Sequence, residues 1–444
     1  RAVRDEPRET TMPRVAVIGG GIGACSLAHG LAARSSTASV HLFEMGRGTG
    51  GRAATRTTRE KPGLRVDHGV PSFAARTPAF ESLCERLVAT NALQRCGGGA
   101  DNGTAAFGVL TTAGRFEAEE AASAPTRYRA PEGKGINSLC DALLRGGDGA
   151  ADAPPVAQTT LGTMVSRLEP IPRSAGAGAG SACGAGGVGG AGGVGGWRLT
   201  SNKGMPLGDF DWLVVTSTGV GHPRWRAAFG GEPPLLEAAA ALGDPALDAA
   251  LAALAPLRAK PVTACLLAYE AEAAAAVAAL PFFKARVEED ATLARIVVQR
   301  VRPDLTTVVL HSTHEFAHAC AHVYGASSTA ARIAGASSDA AEEGRILAAM
   351  LDAAERRLGP LLGGSAAAAA LRSPAWGPHL HRWGAAFPDA PLLPEVLSLV
   401  PSARVAFCGD FVETAGEGGA ARAGTVEGAA LSGLRLAEQL ERVL

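Results

Sequence analysis

Gly19, Gly21 and Ala24 stand at a spacing that does binding chemistry, within Arg14-Val15-Ala16-Val17-Ile18-Gly19-Gly20-Gly21-Ile22-Gly23-Ala24-Cys25-Ser26-Leu27-Ala28. A β-branched run enters the glycines and an alanine-rich stretch leaves them. Gly19 permits a tight turn, Gly21 lets the backbone approach a pyrophosphate, and Ala24 takes the third small position, where helix packs on strand. The helix that starts around Gly23 aims its free N–H groups and positive dipole end at the phosphates. Roughly twenty residues on, Val40-His41-Leu42-Phe43-Glu44 reads as a second parallel strand ending in an acid. Glu44 is placed to take the hydroxyls of an adenosine ribose, and an acid there argues against a 2′-phosphate at this loop.

A second pattern, His314-Glu315-Phe316-Ala317-His318, matches the spacing of a zinc hydrolase helix. On a helix His314 and His318 share a face, and His322 extends it by a turn. The match is short and follows directly on a strand-like run. The expectation is a half-exposed helix face and no metal.

The chain that must position these groups has 444 residues, 47% of them apolar, and a net charge of -1. That length fits two or three domains. The balanced charge gives no ground for a nucleic-acid partner. Eight cysteines include no Cys-x-x-Cys pair, which fits a soluble protein of a reducing compartment better than a disulfide framework. No apolar run reaches the ~18–20 residues of a transmembrane segment. Residues 1–11 are polar and charged, and are expected to be a disordered N-terminal segment. They read equally as a ragged start before Met12 or as the remnant of a removed targeting peptide, which leaves cytoplasm and an organelle such as the plastid stroma both open.

Further along, Arg47-Gly48-Thr49-Gly50-Gly51-Arg52 follows the acid, and Val66-Asp67-His68-Gly69 follows that. Thr159–Leu168 is strand-like, and Asp211–Thr216 reads as a buried parallel strand. Residues 76–95 and 342–358 have helical periodicity, and alanine-rich helices are expected near 234–255 and 270–279. The Gly-Ala-Ser-Val run 174–196 is low in complexity and is expected as a flexible insertion at a hairpin tip. Near the end, Arg404-Val405-Ala406-Phe407-Cys408-Gly409-Asp410 is a strand with Gly-Asp at its tip, and Gly424-Thr425-Val426-Glu427 opens a last helix.

This series of motifs resembles the flavin amine oxidase superfamily. His381-Arg382-Trp383, just before the final strand, resembles the corresponding stretch of renalase-like FAD/NAD(P)-binding oxidoreductases within it. The resemblance runs from Arg14 to Leu444 outside the 174–196 insertion. It implies an α/β protein: a discontinuous Rossmann-type FAD-binding domain over 12–75, 131–225 and 401–444, and a second α+β substrate domain on a mixed sheet over 76–130 and 226–400. Gly19, Gly21, Gly23, Ala24 and Glu44 would then hold the ADP half of FAD, with Arg52 against the pyrophosphate. Val165 would offer backbone atoms to the adenine. Gly409 and Asp410 would hold the ribityl or pyrophosphate region, and the N–H groups near Val426 and Glu427 would face the flavin edge where negative charge gathers on reduction. His68, His381 and Trp383 are the candidate catalytic residues of the pocket. A solvated or capping role for His68, an ordinary strand valine at 165 and a Trp383 packed between domains stay open beside these roles.

The expected activity is that of an FAD-dependent oxidoreductase. It takes a hydride onto flavin N5 from a small-molecule substrate, such as NAD(P)H or an isomer, with oxygen or another acceptor following. FAD is expected to be noncovalent, because Cys408 is not placed like the cysteine that tethers flavin in some amine oxidases. An amine oxidase or desaturase-like enzyme is the second reading, and an FAD-binding protein with a structural or assembly role and little turnover is the third. Oligomeric state has no signature.

Overall fold

The strand preceding the glycine turn, Arg14–Ile18, is apolar on both sides because it lies in the middle of a parallel sheet. In this computed structural model, which describes residues 12–34, 37–96, 106–120, 124–147, 154–173, 194–325, 333, 339–363, 371–414 and 422–444, the sheet has six strands. Their order is Gln158–Leu161, Ser39–Glu44, Arg14–Ile18, Trp212–Val215, Val405–Phe407 and Leu399–Val400. The first five are parallel and the last is antiparallel. Their carboxyl ends run into Gly19, Glu44, Thr216 and Gly409 on one edge. In an open parallel sheet the ligand crevice lies outside those ends, where strand order reverses, which here is at Arg14–Ile18.

Two helices brace that edge: the first, Ile22–Ala33, and the last, Val426–Glu441. They approach closely because Gly433 faces Gly23. A methyl group on Gly433 would run into the Gly23 carbonyl oxygen and lie 3.0 Å from the Leu27 nitrogen. Gly433→Ala is therefore expected to destabilise the fold by about 1–2 kcal/mol, overpacking outweighing the ~1 kcal/mol gain in helix propensity. Gly344→Ala serves as the control. It lies in the helix Ala340–Leu358 with open space around its position, so urea unfolding should show a gain of about 0.5–1 kcal/mol.

A second, seven-stranded mixed sheet has the order Trp376–Asp389, Arg258–Glu270, Leu305–Ser312, Leu293–Arg302, Lys284–Val287, Phe107–Leu110 and Phe116–Ala118. One face packs Cys265, Leu267, Ile296 and Leu310 against Ile346, Met350 and Leu351 of the helix Ala340–Leu358. The other face presents Ala264, Leu266, Val297 and Val309 to Leu64 and Val66, beside the glycine-turn half of the molecule.

The structure differs from the sequence-based expectation in three places. Thr159–Leu168 is two strands: Gly162, with φ +64, turns the chain after Leu161, and Val165–Pro172 joins a three-stranded sheet with Val194–Ser201 and Pro206–Phe210. The helix expected over 76–95 ends at Ala89, because Asn91 takes φ 55, and Gln94–Cys96 forms a strand. The helices Pro78–Ala89, Pro234–Leu242 and Pro245–Leu254, expected in the second domain, bury Leu83, Leu87, Leu235, Leu247 and Leu251 in the clusters that flank the six-stranded sheet. The N-terminal segment 1–11 and residues 174–193 of the Gly-rich run lie outside the described residues. No helix among the described residues is long and apolar enough to cross a membrane.

Candidate active site

The glycine turn is fixed by its neighbours. Gly19 takes φ +108, and a methyl group there would collide with Thr216 Oγ1, while Thr216 Oγ1 donates to Ile18 O at 2.9 Å. Gly21 is different. Its backbone is extended, with φ -80, and a methyl group would meet nothing within 4 Å. The first helix has neither a side-chain cap nor an acid in its first turn, so its leading N–H groups stay open. Ala24 lies fully buried beneath the turn. Gly23 packs on Gly409, whose Cα a methyl group at 23 would approach to 3.3 Å.

Glu44 faces this turn. Its carboxylate accepts from Gly20 N at 2.7 Å and Gly46 N at 2.5 Å. Burial pushes its pKa above the ordinary glutamate value, against the lowering pull of those two N–H groups. Arg52 and Asp410, distant in sequence, form a two-pronged ion pair at 2.6 and 2.5 Å, and Arg52 Nη1 also donates to Ala386 O at 3.0 Å. Three of the five guanidinium N–H groups are thereby used. Val426 and Val165 line the same space. Glu427 points elsewhere: its side chain is buried and accepts from Thr77 N and Oγ1 at 2.9 and 2.6 Å, holding the start of the helix Pro78–Ala89.

All these groups except Ala24 and Glu427 border one continuous cavity of about 2120 Å³, which also reaches His68, His381 and Trp383. Pockets for drug-sized ligands hold ~300–1,000 Å³, so this one accommodates a dinucleotide and a second molecule. On its wall the His68 ring stacks on Trp383 with centroids 5.1 Å apart, and meets His381 edge-on at 4.5 Å. Trp383 Nε1 donates to His68 O at 3.3 Å, and His311 Nε2 donates to the same oxygen at 2.9 Å. Burial drives the histidines neutral: His68 to about 4, His311 to about 3, and His381 well below its ordinary value. His381 Nδ1 is buried without a hydrogen-bond partner among the described residues.

The turn carrying His68 hangs from Asp67, which is buried and accepts from Thr55 Oγ1 at 2.6 Å and Ile136 N at 2.9 Å. Burial raises its carboxyl to about 6, against those two hydrogen bonds. A raised carboxyl favours the native state below the unfolded value of 3.8, and that contribution is lost as pH rises through 6. Asp67→Asn keeps an accepting oxygen and does not titrate. Its stability relative to the parent should therefore rise by about 2–3 kcal/mol between pH 4 and pH 7 in urea unfolding. An unchanged difference would place the ionised carboxylate in the native state throughout.

The His-Glu-x-x-His match gives a six-residue helix, His314–Ala319, with His314 Nδ1 donating to Pro261 O at 2.9 Å. No group of three His, Cys, Asp or Glu that could hold a metal occurs among the described residues.

A NAD(P)-binding Rossmann-like domain is matched over residues 17–87. No curated protein matches the sequence. Among solved structures, wild-type putrescine oxidase bound to putrescine superposes with a TM-score of 0.53 at 12% identity, over 97% of this chain and 99% of that one. An oxidoreductase from Methanosarcina mazei gives 0.52 at 12% identity, over 96% and 100%. A putative protoporphyrinogen oxidase from Exiguobacterium sp. 255-15 gives 0.50 at 13%, over 97% and 99%. The chain has an amine-oxidase-like fold. A Rossmann-type half and a second domain on a mixed sheet, as expected from sequence, are both present.

Three contributors escaped the sequence reading. Asp67 has no role assigned by its motif, although an acid inside a short apolar strand is a signal of burial. His311 and Arg295 lie on the strands Leu305–Ser312 and Leu293–Arg302, each a polar residue in an apolar run and each bordering the cavity.

Proposed function

We propose that this protein is an FAD-dependent oxidoreductase that oxidises a small reduced donor at the His68–His381–Trp383 end of the cavity. The observation that carries the reading is Gly21. It has no conformational or packing reason to lack a side chain, and it opens onto a cavity large enough for a dinucleotide. The open N–H groups of the first helix take the pyrophosphate, Glu44 takes the ribose hydroxyls, and Arg52, charge-balanced by Asp410, offers its two remaining N–H groups. When bound, the flavin would supply two-electron redox chemistry between the donor and oxygen or another acceptor.

The chain's own residues supply orientation. The His68 and Trp383 rings wall the reactive end and exclude water, and His381 Nδ1 is free to accept one hydrogen bond from the donor. None of the described residues lining the cavity is a cysteine, and burial pushes the Cys408 thiol up to about 12. Both support noncovalent binding. A dihydronicotinamide, as in renalase-like enzymes, is the donor class proposed. The test is the visible spectrum of the purified protein, followed by anaerobic mixing with dihydronicotinamide isomers and with amines. Bleaching of the flavin band by dihydronicotinamides is expected; bleaching by amines alone overturns the donor assignment.

A further inference from the structure

Across the second sheet, His381 pairs with Ala264, Ala264 with His311, and His311 with Arg295. Side chains in one such row leave the sheet on the same face. His381, His311 and Arg295 all border the cavity, and the small Ala264 leaves room between them. The Arg295 guanidinium has no hydrogen-bond or ion-pair partner among the described residues, and burial lowers its pKa. Lys284 lies nearby, and burial, helped by the positive charge of Arg295, brings its pKa down to about 7. Both side chains are half-buried, and a cation that has lost part of its hydration without gaining a paired anion is held at a cost. A ligand that brings the anion relieves that cost.

The charge of the wall points the same way. Eleven of the lining residues are Arg or Lys and four are Asp or Glu. Glu44, Asp410 and Asp141 are already engaged, by Gly20 and Gly46, by Arg52 and by Thr49. A pyrophosphate answers the excess near the glycine turn, but Arg295 belongs to the other sheet. A diamine would meet no acid in the row of His381, His311 and Arg295.

We propose that the substrate is a small organic anion whose carboxylate or phosphate seats on Arg295. The inference rests on the FAD oxidoreductase reading, and its test separates the two. A protein that purifies without flavin and takes up no FAD refutes that reading before any substrate probe is added. With flavin in place, calorimetric titration compares nicotinamide mononucleotide with nicotinamide riboside, for a phosphate, and nicotinate with nicotinamide, for a carboxylate. The anionic member of at least one pair should bind about 10-fold or more tightly than its partner, and the pair that responds identifies the source. Arg295→Gln should weaken that anion about 10–100-fold and leave the partner unchanged, while Arg295→Lys keeps part of the preference. Should Arg295→Gln fail to fold, the parent protein decides: affinity for the anion falls as KCl rises, and affinity for the partner does not. Equal binding within both pairs, no binding of either anion, equal weakening of both members or salt-independent anion affinity would each overturn the assignment.

Discussion

Arg52→Ala is expected to yield a protein that purifies without flavin. The substitution removes the two N–H groups left for the pyrophosphate and also uncovers Asp410, whose side chain is 6% exposed. An unpaired carboxylate at the cavity wall would then repel the ligand that Arg52 had attracted. Loss of charge-assisted hydrogen bonds together with that repulsion should weaken FAD on the order of 100-fold. Breaking a fully buried pair costs about 3–5 kcal/mol. Arg52 is 37% exposed, so solvent screening brings the expected loss of apoprotein stability to about 2 kcal/mol. Arg52→Ala with Asp410→Ala should recover most of that stability and none of the affinity. Fluorescence titration with FAD and urea unfolding measure the two separately. Wild-type affinity in Arg52→Ala would remove this pair from the nucleotide site.

How far such residues can be read from the chain depends on what holds them together. The glycine turn and Glu44 lie within one βαβ unit, where spacing fixes position, and Gly20 N and the Glu44 carboxylate meet as that spacing requires. Arg52 and Asp410 are 358 positions apart; no local periodicity pairs them, and only a resemblance spanning the chain put them at one ligand. The row of His381, His311 and Arg295 depends on the register of three antiparallel pairings. A one-residue slip would turn a strand's side chains to the opposite face, so strand periodicity alone leaves this row unread. Glu427 shows the same limit within one residue. Its place at the start of the last helix was legible, but its carboxylate serves Thr77 on another helix.

Layer assignment failed for a related reason. The apolar faces of Pro234–Leu242 and Pro245–Leu254 announce burial, yet Leu235 and Leu251 would satisfy the same pattern against either sheet. They pack with Val215 and Phe407 on the six-stranded side. Burial was legible; the partner was not.

Gly21→Ala gives the sharpest separation of fold from ligand. Nothing in the folded chain resists the added methyl group, since φ is -80 and the surrounding 4 Å is empty. The unfolded chain loses some freedom, so stability of the apoprotein should hold or rise by about 0.4–1 kcal/mol. The methyl group projects where the pyrophosphate must approach the backbone, and FAD affinity should fall on the order of 100-fold through lost N–H contacts. Gly19→Ala is the counterpart. Its positive φ and the collision with Thr216 Oγ1 should cost stability of about 1–3 kcal/mol as well as the cofactor. Circular dichroism, urea unfolding and FAD titration of the two proteins distinguish the cases. A Gly21→Ala protein that retains its flavin would mean that the open space before Gly21 is not the phosphate seat. The direction of the nucleotide along the cavity would then have to be assigned again from Glu44 and Arg52.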